Sequence, residues 1–253
     1  MLDMIELYYF SPTGGTKKAG KSFCKGIAES VKEIDLGIRR ESIEQPSCDI
    51  VVVAAPVFGG RIPSIAAEKL NELEGNGKKA VTLVVYGNRA YEDALLELNN
   101  IVEDRGFQVA ASAALVAQHS MAPEVGKGRP DEQDREEILD FAGKVLEKLE
   151  KGMEVPISVP GNCPYKDAMG MTVTPVSLPS CSLCGTCASV CPTGAIRLEN
   201  DVVLTSPEKC ILCMACVSAC PEHSRILPPP LQEKMEQMLG ALKSVRRENE
   251  YFL

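Results

Sequence analysis

The stretch MIELYYFSPTGGT, residues 4–16, joins an apolar run to a loop of hydroxyl and glycine residues, and helical spacing follows directly. The run 4–10 predicts a buried strand. Hydroxyls and glycines at a helix N-terminus form a phosphate cradle, because glycine lets the backbone approach, N–H groups point at the oxygens and the helix dipole favours an anion. The stretch therefore predicts a strand, a phosphate-binding loop and a helix in succession.

Short apolar, β-branched runs recur along the next hundred residues, at 31–36, 49–57, 80–86 and 109–117. Helical spacing lies between and after them, at about 16–30, 64–73, 91–105 and 131–152. Runs such as IVVVAAPV (50–57) are apolar on both faces, as in a parallel sheet covered by helices on both sides. The pattern predicts an α/β doubly wound parallel sheet with its ligand beyond the carboxyl ends of the strands.

A nucleotide-binding P-loop is an overlapping alternative, because GTKKAGKS, residues 15–22, satisfies the Walker A pattern. In a P-loop the first glycine follows the strand closely, whereas four residues stand between Phe10 and Gly15. The apolar run 50–55 also ends in Pro56, with no aspartate there to hold magnesium. This context disfavours ATP as the ligand.

Composition narrows the class of protein. The chain has 253 residues, of which 45% are apolar, enough for one large α/β domain and a small second one. A net charge of -8 without a basic stripe disfavours nucleic acid and anionic membranes as partners. No basic and apolar leader precedes the first strand, and no apolar stretch approaches the roughly 20 residues that span a bilayer. We therefore expect a cytoplasmic protein without a membrane span.

Eight of the eleven cysteines lie in one window, residues 181–220. The pattern Cys-x2-Cys-x2-Cys-x3-Cys-Pro begins at Cys181 and again at Cys210, an offset of 29 positions. This spacing is typical of 4Fe-4S binding, in which the fourth cysteine of each run ligates the other cluster. It predicts two clusters, one held by Cys181, Cys184, Cys187 and Cys220 and the other by Cys210, Cys213, Cys216 and Cys191.

Two four-cysteine zinc sites are the alternative for this module. A zinc ribbon separates its two CxxC pairs by about 15–20 residues and needs neither three evenly stepped thiols nor a Cys-Pro end. With both motifs complete, residues 177–227 resemble the two-cluster bacterial ferredoxins, a small α+β fold. That resemblance implies low-potential, one-electron transfer.

Two further loops follow predicted strands at the ligand-binding edge of the sheet: APVFGGR (55–61) and YGNRAY (86–91). Each sets an aromatic residue beside glycine-rich backbone that a planar ring can approach. The fifth strand ends at the same edge in Gln118-His119-Ser120. With the phosphate loop, residues 4 to about 150 resemble the flavodoxins, which bind FMN and have strand order 2-1-3-4-5. The full chain resembles the flavodoxin-ferredoxin fusions found chiefly in anaerobes.

The resemblance implies an FMN site made by these loops. Phe58 and Tyr91 would flank the isoalloxazine ring, with the backbone of Gly59 and Gly87 facing it. Core packing for Phe58, a helix start for Tyr91 and an ordinary turn at the Ser/Thr/Gly loop stay open as alternatives. The phosphate would be held by Ser11, Thr13, Gly14, Gly15 and Thr16, and the candidate site also includes Pro56, Val57, Gly60, Asn88 and Arg89.

We divide the chain into an FMN domain (1–152), a connector (153–176), a two-cluster domain (177–228) and a C-terminal amphipathic helix (229–253). Helical spacing over 231–249 puts Leu231, Met235, Met238, Leu242 and Val245 on one apolar face, which either packs on its own domain or docks a redox partner. The predicted function is electron transfer between FMN, the clusters and a redox protein partner. A flavin-dependent reductase of a small acceptor and a subunit of a larger redox complex are the alternatives, and no catalytic residue stands out.

Overall fold

The computed structural model describes residues 1–152, 155–168, 170 and 172–253. Strands and helices alternate in its first part, as the sequence predicts. The predicted helix 16–30 is wrong at its end, because Ala28 and Ser30 pair with Leu2 and Met4 in a parallel ladder. The elements are β1 (Leu2–Tyr9), α1 (Gly15–Ile27), β2 (Ala28–Asp35), β3 (Ile50–Pro56), α2 (Ser64–Leu70), β4 (Lys79–Tyr86), α3 (Ala94–Asp104), β5 (Gln108–Val116) and α4 (Glu132–Glu150).

The first five strands form a parallel sheet in the order β2-β1-β3-β4-β5. This is the flavodoxin-like order, and the predicted fold class is confirmed. The strand order reverses at β1, which has β2 on one side and β3 on the other. A crevice therefore opens beyond the carboxyl ends of β1 and β3, where doubly wound sheets bind their ligands.

Apolar side chains cover both faces of this sheet. Along β3, Val51 and Val53 pack with α2 and α3 on one face, while Val52 and Ala54 pack with α1 and α4 on the other. Because successive strand residues point to opposite faces, a strand covered on both sides is apolar throughout. These two layers hold the strand ends, and hence the loops that follow them, in fixed positions.

The cysteine-rich segment forms a small α+β unit, as predicted. Strands β6 and β9 pair antiparallel, β7 and β8 form a hairpin, and each cysteine run contributes one short helix. Its elements are β6 (Val176–Ser177), α5 (Thr186–Ser189), β7 (Ile196–Glu199), β8 (Val202–Thr205), α6 (Ala215–Ser218) and β9 (Arg225–Ile226).

The end of the chain differs from the prediction. Helix α7 spans Pro229–Leu239, a 3-10 turn follows at Gly240–Leu242, and β10 (Glu250–Phe252) adds to the edge of the first sheet, antiparallel to β5. The predicted helix 231–249, and with it an all-helical segment 229–253, is therefore wrong beyond Leu239. We call residues 243–253 the C-terminal strap, because they run back from the cysteine-rich unit to the parallel sheet.

The predicted apolar face of the last helix packs on its own chain. Leu231, Met235 and Leu239 are buried against Leu212, Met214 and other residues of one core cluster. Those three positions are not available to a partner, so the structure favours the first alternative, packing on the chain itself. Met238 and Val245 are 60% and 42% exposed and stand outside that cluster.

The predicted connector 153–176 includes Met153, Glu154, Met169 and Met171, which lie outside the described residues. Its described part is tied to the parallel-sheet domain through Asp93, whose carboxylate accepts hydrogen bonds from the backbone N–H groups of Asn162 (2.9 Å) and Lys166 (2.8 Å). Among the described residues, no helix is long and apolar enough to cross a membrane.

Candidate cofactor and cluster sites

The phosphate-type loop lies between β1 and α1, as predicted. Gly14 adopts φ +88, which favours glycine, at the N-cap of α1. The hydroxyl of Ser11 accepts a hydrogen bond from the backbone N–H of Lys17 at 2.9 Å, so this side chain ties the loop to the first turn of the helix. The first N–H groups of a 13-residue helix then face the loop, an arrangement suited to an anion.

The Walker A alternative does not fit this geometry. Its whole match, residues 15–22, lies within α1, so no glycine loop precedes the lysine. The Lys21 ammonium pairs with Glu33 of β2 at 2.6 Å, and Lys17 pairs with the other oxygen of the same carboxylate at 2.8 Å. Both cations are engaged beside β2.

The loop after β3 is a tight turn. Phe58 and Arg61 exchange two backbone hydrogen bonds of 2.9 and 3.2 Å, and Gly59 and Gly60 between them have φ of 60 and 90. Positive φ at both central positions is the type I′ pattern, which suits glycine. The turn carries Phe58 to the mouth of the crevice, where its ring lies 6.4 Å from that of Phe10. Phe58 thus lines the crevice while also packing on the core.

In the loop after β4, four predicted site residues divide into two pairs. Gly87 and Arg89 line the cavity at the sheet edge, whereas Asn88 and Tyr91 do not. The buried amide of Asn88 donates to the carbonyl of Val245 at 2.7 Å and accepts from the N–H of Arg247 at 3.1 Å.

Tyr91 likewise binds the C-terminal strap and not the cavity. Its hydroxyl donates to the Glu250 carboxylate at 2.6 Å, and its ring packs against Tyr86 at 5.4 Å. The structure therefore places Tyr91 in the core and against β10. It does not bring this ring to the cavity that Phe58 lines.

His119, which follows β5, lies beside Gly87. A Cβ at Gly87 would come within 2.5 Å of the imidazole Cδ2, so glycine is required for this close approach. Imidazole Nδ1 accepts hydrogen bonds from the N–H groups of Met121 and Ala122, both at 3.2 Å. Burial, with a smaller effect of the Arg89 charge, lowers the pKa of His119 to about 4. The ring is therefore neutral at pH 7, with its proton on Nε2.

The two arginines beside these loops behave differently. Arg61 forms a two-pronged ion pair with Glu97, at 2.8 and 2.7 Å, and stacks 4.8 Å above the ring of Tyr165, so it is turned from the cavity. Arg89 lines the cavity and donates to Glu92 at 2.9 Å. Of the two arginines, Arg89 is thus the one that faces the cavity, where the Glu92 carboxylate partly neutralises its charge.

These loops enclose one cavity of about 410 Å³. Predicted residues that line it are Ser11, Thr13, Gly15, Thr16, Pro56, Val57, Phe58, Gly59, Gly87 and Arg89. Gly14 lines a neighbouring cavity of about 530 Å³, while Gly60 faces Glu92 instead. Walls that sequence reasoning missed come from remote segments: Lys166, Asp167, Ile211, Leu212, Cys213, Met235, Met238 and Leu239.

The eight motif cysteines line two small cavities, four in each. One is lined by Cys181, Cys184, Cys187 and Cys220, the other by Cys191, Cys210, Cys213 and Cys216. The fourth cysteine of each run therefore reaches the cavity of the other run. The structure thus brings together the same two groups of four cysteines that the sequence predicts as ligand sets, and their ligation of clusters stays a prediction.

The backbone repeats around the two cavities. Positive φ occurs at Leu183 and Gly185 in the first run and, 29 positions later, at Leu212 and Met214. The N–H of Ala195 donates to Cys191 Sγ and that of Ser224 to Cys220 Sγ, both at 3.2 Å. Successive N–H groups in such turns form concave anion sites, which suit the negative charge of a thiolate-bound cluster. In the described part of the chain, no three His, Cys, Asp or Glu side chains are close enough to hold a single metal ion.

Strand order and cysteine pattern together define the fold class: a flavodoxin-like α/β domain fused to a small ferredoxin-like domain. Residues 176–221 match the family model of the 4Fe-4S dicluster domain. No curated protein matches the sequence.

Solved structures similar to the chain include several flavodoxins. That from Streptococcus pneumonia is 18% identical, covering 57% of this chain and 99% of its own, with a TM-score of 0.42. Flavodoxin 1 from Bacillus cereus is 17% identical, covering 57% and 98%, with a TM-score of 0.44. The FMN-bound flavodoxin of Fusobacterium nucleatum is 13% identical, covering 60% and 99%, with a TM-score of 0.41.

Proposed function

We propose that this protein transfers electrons between FMN, bound at the carboxyl edge of the parallel sheet, two 4Fe-4S clusters and a redox protein partner. One observation carries the proposal. The 410 Å³ cavity is lined both by the phosphate-type and aromatic loops and by Cys213, a member of the second cysteine set. A flavin in that cavity would therefore lie against the wall that holds a cluster ligand.

The chain supplies binding, orientation and exclusion of water, while the redox chemistry belongs to FMN and the clusters. The N–H groups at the start of α1, with Thr13 and Thr16, would hold the phosphate. Phe58 and the backbone of Gly59 and Gly87 would form the walls beside the ring. On the far side, Leu212, Met235 and Leu239 close the cavity with apolar surface that excludes water.

The same geometry supports an order for the two clusters. The set of Cys191, Cys210, Cys213 and Cys216 would hold the cluster nearer the flavin, because Cys213 belongs to both cavities. In the other set, Cys184 is exposed. Electrons would then enter or leave through the cluster beside Cys184 and pass by way of the second cluster to the flavin. Eight cysteines that serve as cluster ligands and form no disulfides would fit a reducing compartment such as the cytoplasm.

The test is anaerobic purification of the full chain, with iron, sulfide and flavin measured on one sample. We expect about eight iron atoms, as two four-iron clusters require, and one FMN per chain. Reducing the flavin by light and following the clusters by electron paramagnetic resonance then tests the route. A chain with clusters but no affinity for FMN would contradict the proposal. Steady turnover of quinones or nitro compounds would favour a reductase instead.

A further inference from the structure

Arg225 is the buried cation of the iron-sulfur unit. It is 2% exposed and lines the cavity of Cys181, Cys184, Cys187 and Cys220. Its Nη1 donates to the Ser177 hydroxyl at 3.0 Å and its Nη2 to the Thr205 hydroxyl at 2.9 Å. Among the described residues, its buried Nε has no hydrogen-bond partner. A fixed guanidinium thus presents an unused N–H beside four thiols.

The internal repeat makes this residue unusual. Counting from the last cysteine of each run, Arg225 occupies the place that Ile196 occupies in the first copy, five positions on. Ile196, 8% exposed, lines the cavity of Cys191, Cys210, Cys213 and Cys216. The two cavities have matching backbones but different linings, and at this buried position one is apolar and the other positively charged.

We propose that Arg225 separates the reduction potentials of the two clusters, by donating its Nε–H to a sulfur of the cluster held by Cys181, Cys184, Cys187 and Cys220. This inference rests on the proposed function. On reduction that cluster gains one electron from the partner or the flavin, and no bond forms or breaks. The added negative charge is stabilised by a neighbouring cation and by a donor to sulfur, two of the features that set cluster potentials.

The consequence is a difference in potential between the two clusters. The cluster beside Arg225 has the more positive potential and holds an electron longer than the cluster beside Ile196. Arg225 lines the cavity of Cys181, Cys184, Cys187 and Cys220 and not the other cavity, although its charge also reaches Cys210 and Cys216. Both clusters should therefore respond to this residue, and the cluster whose cavity it lines should respond more. An electron arriving from the Cys184 side is thus accepted readily and passed inward only when the flavin or the second cluster is oxidised.

The experiment is a redox titration of the full chain, with each cluster followed by electron paramagnetic resonance. Arg225→Met keeps most of the buried stem and removes the charge and the donor. The reference point is the potential at which the cluster of Cys181, Cys184, Cys187 and Cys220, here called the first cluster, is half reduced in the parent protein. At that potential we expect the ratio of reduced to oxidised first cluster to be about tenfold lower in the variant. For a one-electron couple this equals a shift of about 59 mV. The second cluster should shift less.

Arg197→Met is the matched control, because Arg197 lies in the same unit, is 64% exposed and pairs with Glu199 on the surface. Both potentials should stay at their parent values, since the lost charge is solvated. Arg225→Lys should recover part of the shift by restoring the charge. An Arg225→Met protein with full iron content and unchanged potentials would overturn the proposal.

Arg225 also bridges Ser177 and Thr205, so its loss can prevent cluster assembly. A measurement on the parent protein covers that case: electron nuclear double resonance with 15N-arginine should detect a nitrogen coupled to the spin of the first cluster. No such coupling would overturn the inference. Absence of iron from the parent protein would instead refute the proposed function, so the two failures are distinguishable.

Discussion

The cysteine cavities take all of their eight thiols from residues 181–220, whereas the cavity at the sheet edge takes its walls from seven separate stretches between Ser11 and Leu239. The first kind of site is set by ligand spacing, because each thiol itself binds the metal. The second exists only once a sheet, a connector and a second domain have packed together. Damage should therefore be all-or-none in the first and graded in the second.

The largest expected effect is the loss of one cluster. Cys191→Ser removes a ligand that lines the cavity of Cys210, Cys213 and Cys216. We predict loss of about half of the bound iron, with the cluster of the other set retained. Iron analysis and electron paramagnetic resonance measure this.

Cys163→Ser is the control, because Cys163 is exposed and lines neither cysteine cavity, so the iron content should not change. If Cys191→Ser instead abolished the cluster held by Cys181, Cys184 and Cys187, the crossed ligand sets would be wrong.

A graded effect is expected at the phosphate-type loop. Replacing Thr13 and Thr16 together by alanine removes the hydroxyls of two residues that line the cavity. Hydrogen bonds to a charged group contribute about 1.5–3 kcal/mol each, so we predict that the Kd for FMN rises at least about 100-fold. Flavin fluorescence during titration of the flavin-free protein measures it, and the clusters should remain.

Riboflavin separates phosphate binding from ring binding. It lacks the phosphate, so its affinity should be the same for the double variant and the parent protein. Equal weakening for FMN and riboflavin would mean that the substitutions disturb the ring site or the fold, and that the loop does not bind phosphate.

A smaller effect tests the role that the structure gives to Asn88. Asn88→Ala leaves the carbonyl of Val245 and the N–H of Arg247 without their partner. We predict that local opening of the C-terminal strap becomes easier by about 2 kcal/mol, a typical cost for buried polar groups left unpaired. Hydrogen exchange over 243–252 measures this.

Lys243→Ala provides the comparison for Asn88. It also changes the strap, but among the described residues the Lys243 ammonium pairs with Glu236 on the surface, so exchange should stay near the parent rate. Unchanged exchange in Asn88→Ala together with weaker FMN binding would return Asn88 to the cofactor site.

The sequence predicts the cysteine cavities, which come from one local motif, better than the sheet-edge cavity, which comes from separate segments. Apolar runs with helical spacing between them predict the parallel sheet, and hence the loops at its carboxyl edge. They do not reveal which way a loop side chain turns. Asn88 and Tyr91 sit in the expected loop but bind the strap, because β10 adds to the sheet there. The aromatic-plus-glycine pattern was the same for Phe58 and for Tyr91.

The sequence around the C-terminal strap, and around the cavity residues contributed by the second domain, does not indicate where these segments pack. Residues 243–250, KSVRRENE, are polar and lack strand alternation, and β10 is three residues long. Their conformation is fixed by distant groups: the Arg129 guanidinium binds the Arg247 carbonyl at 2.5 Å, and Asn249 accepts from the N–H of Val116 at 2.9 Å. Leu212 and Met235 reach the cavity only because the second domain packs there. Tertiary contacts of this kind override local propensity.

The smallest effect is a pH dependence at His119. Its folded-state pKa of about 4 lies below the value of about 6.5 in an unfolded chain. As pH falls below 6.5 the unfolded chain takes up a proton that the folded chain does not, so stability falls until the pH passes the folded pKa. Arg89 is the charged group that acts on this imidazole, and it lowers the pKa further. Between pH 7.5 and 5.5 we therefore expect the free energy of unfolding to fall by about 1.4 kcal/mol because of this residue, the equivalent of one proton over about one pH unit.

The free energy of unfolding of the sheet domain tests this dependence. It is measured in the full chain at both pH values, with flavin release as the signal for unfolding. His119→Gln should remove that pH dependence, whereas His223→Gln, at an exposed position and the only other histidine, should retain it. If the two variants lost stability equally on acidification, the neutral imidazole beside Gly87 would not be the source of the pH dependence. Because the walls of the sheet-edge cavity come from seven separate stretches, the loss of this one side chain would then have no measurable effect on stability.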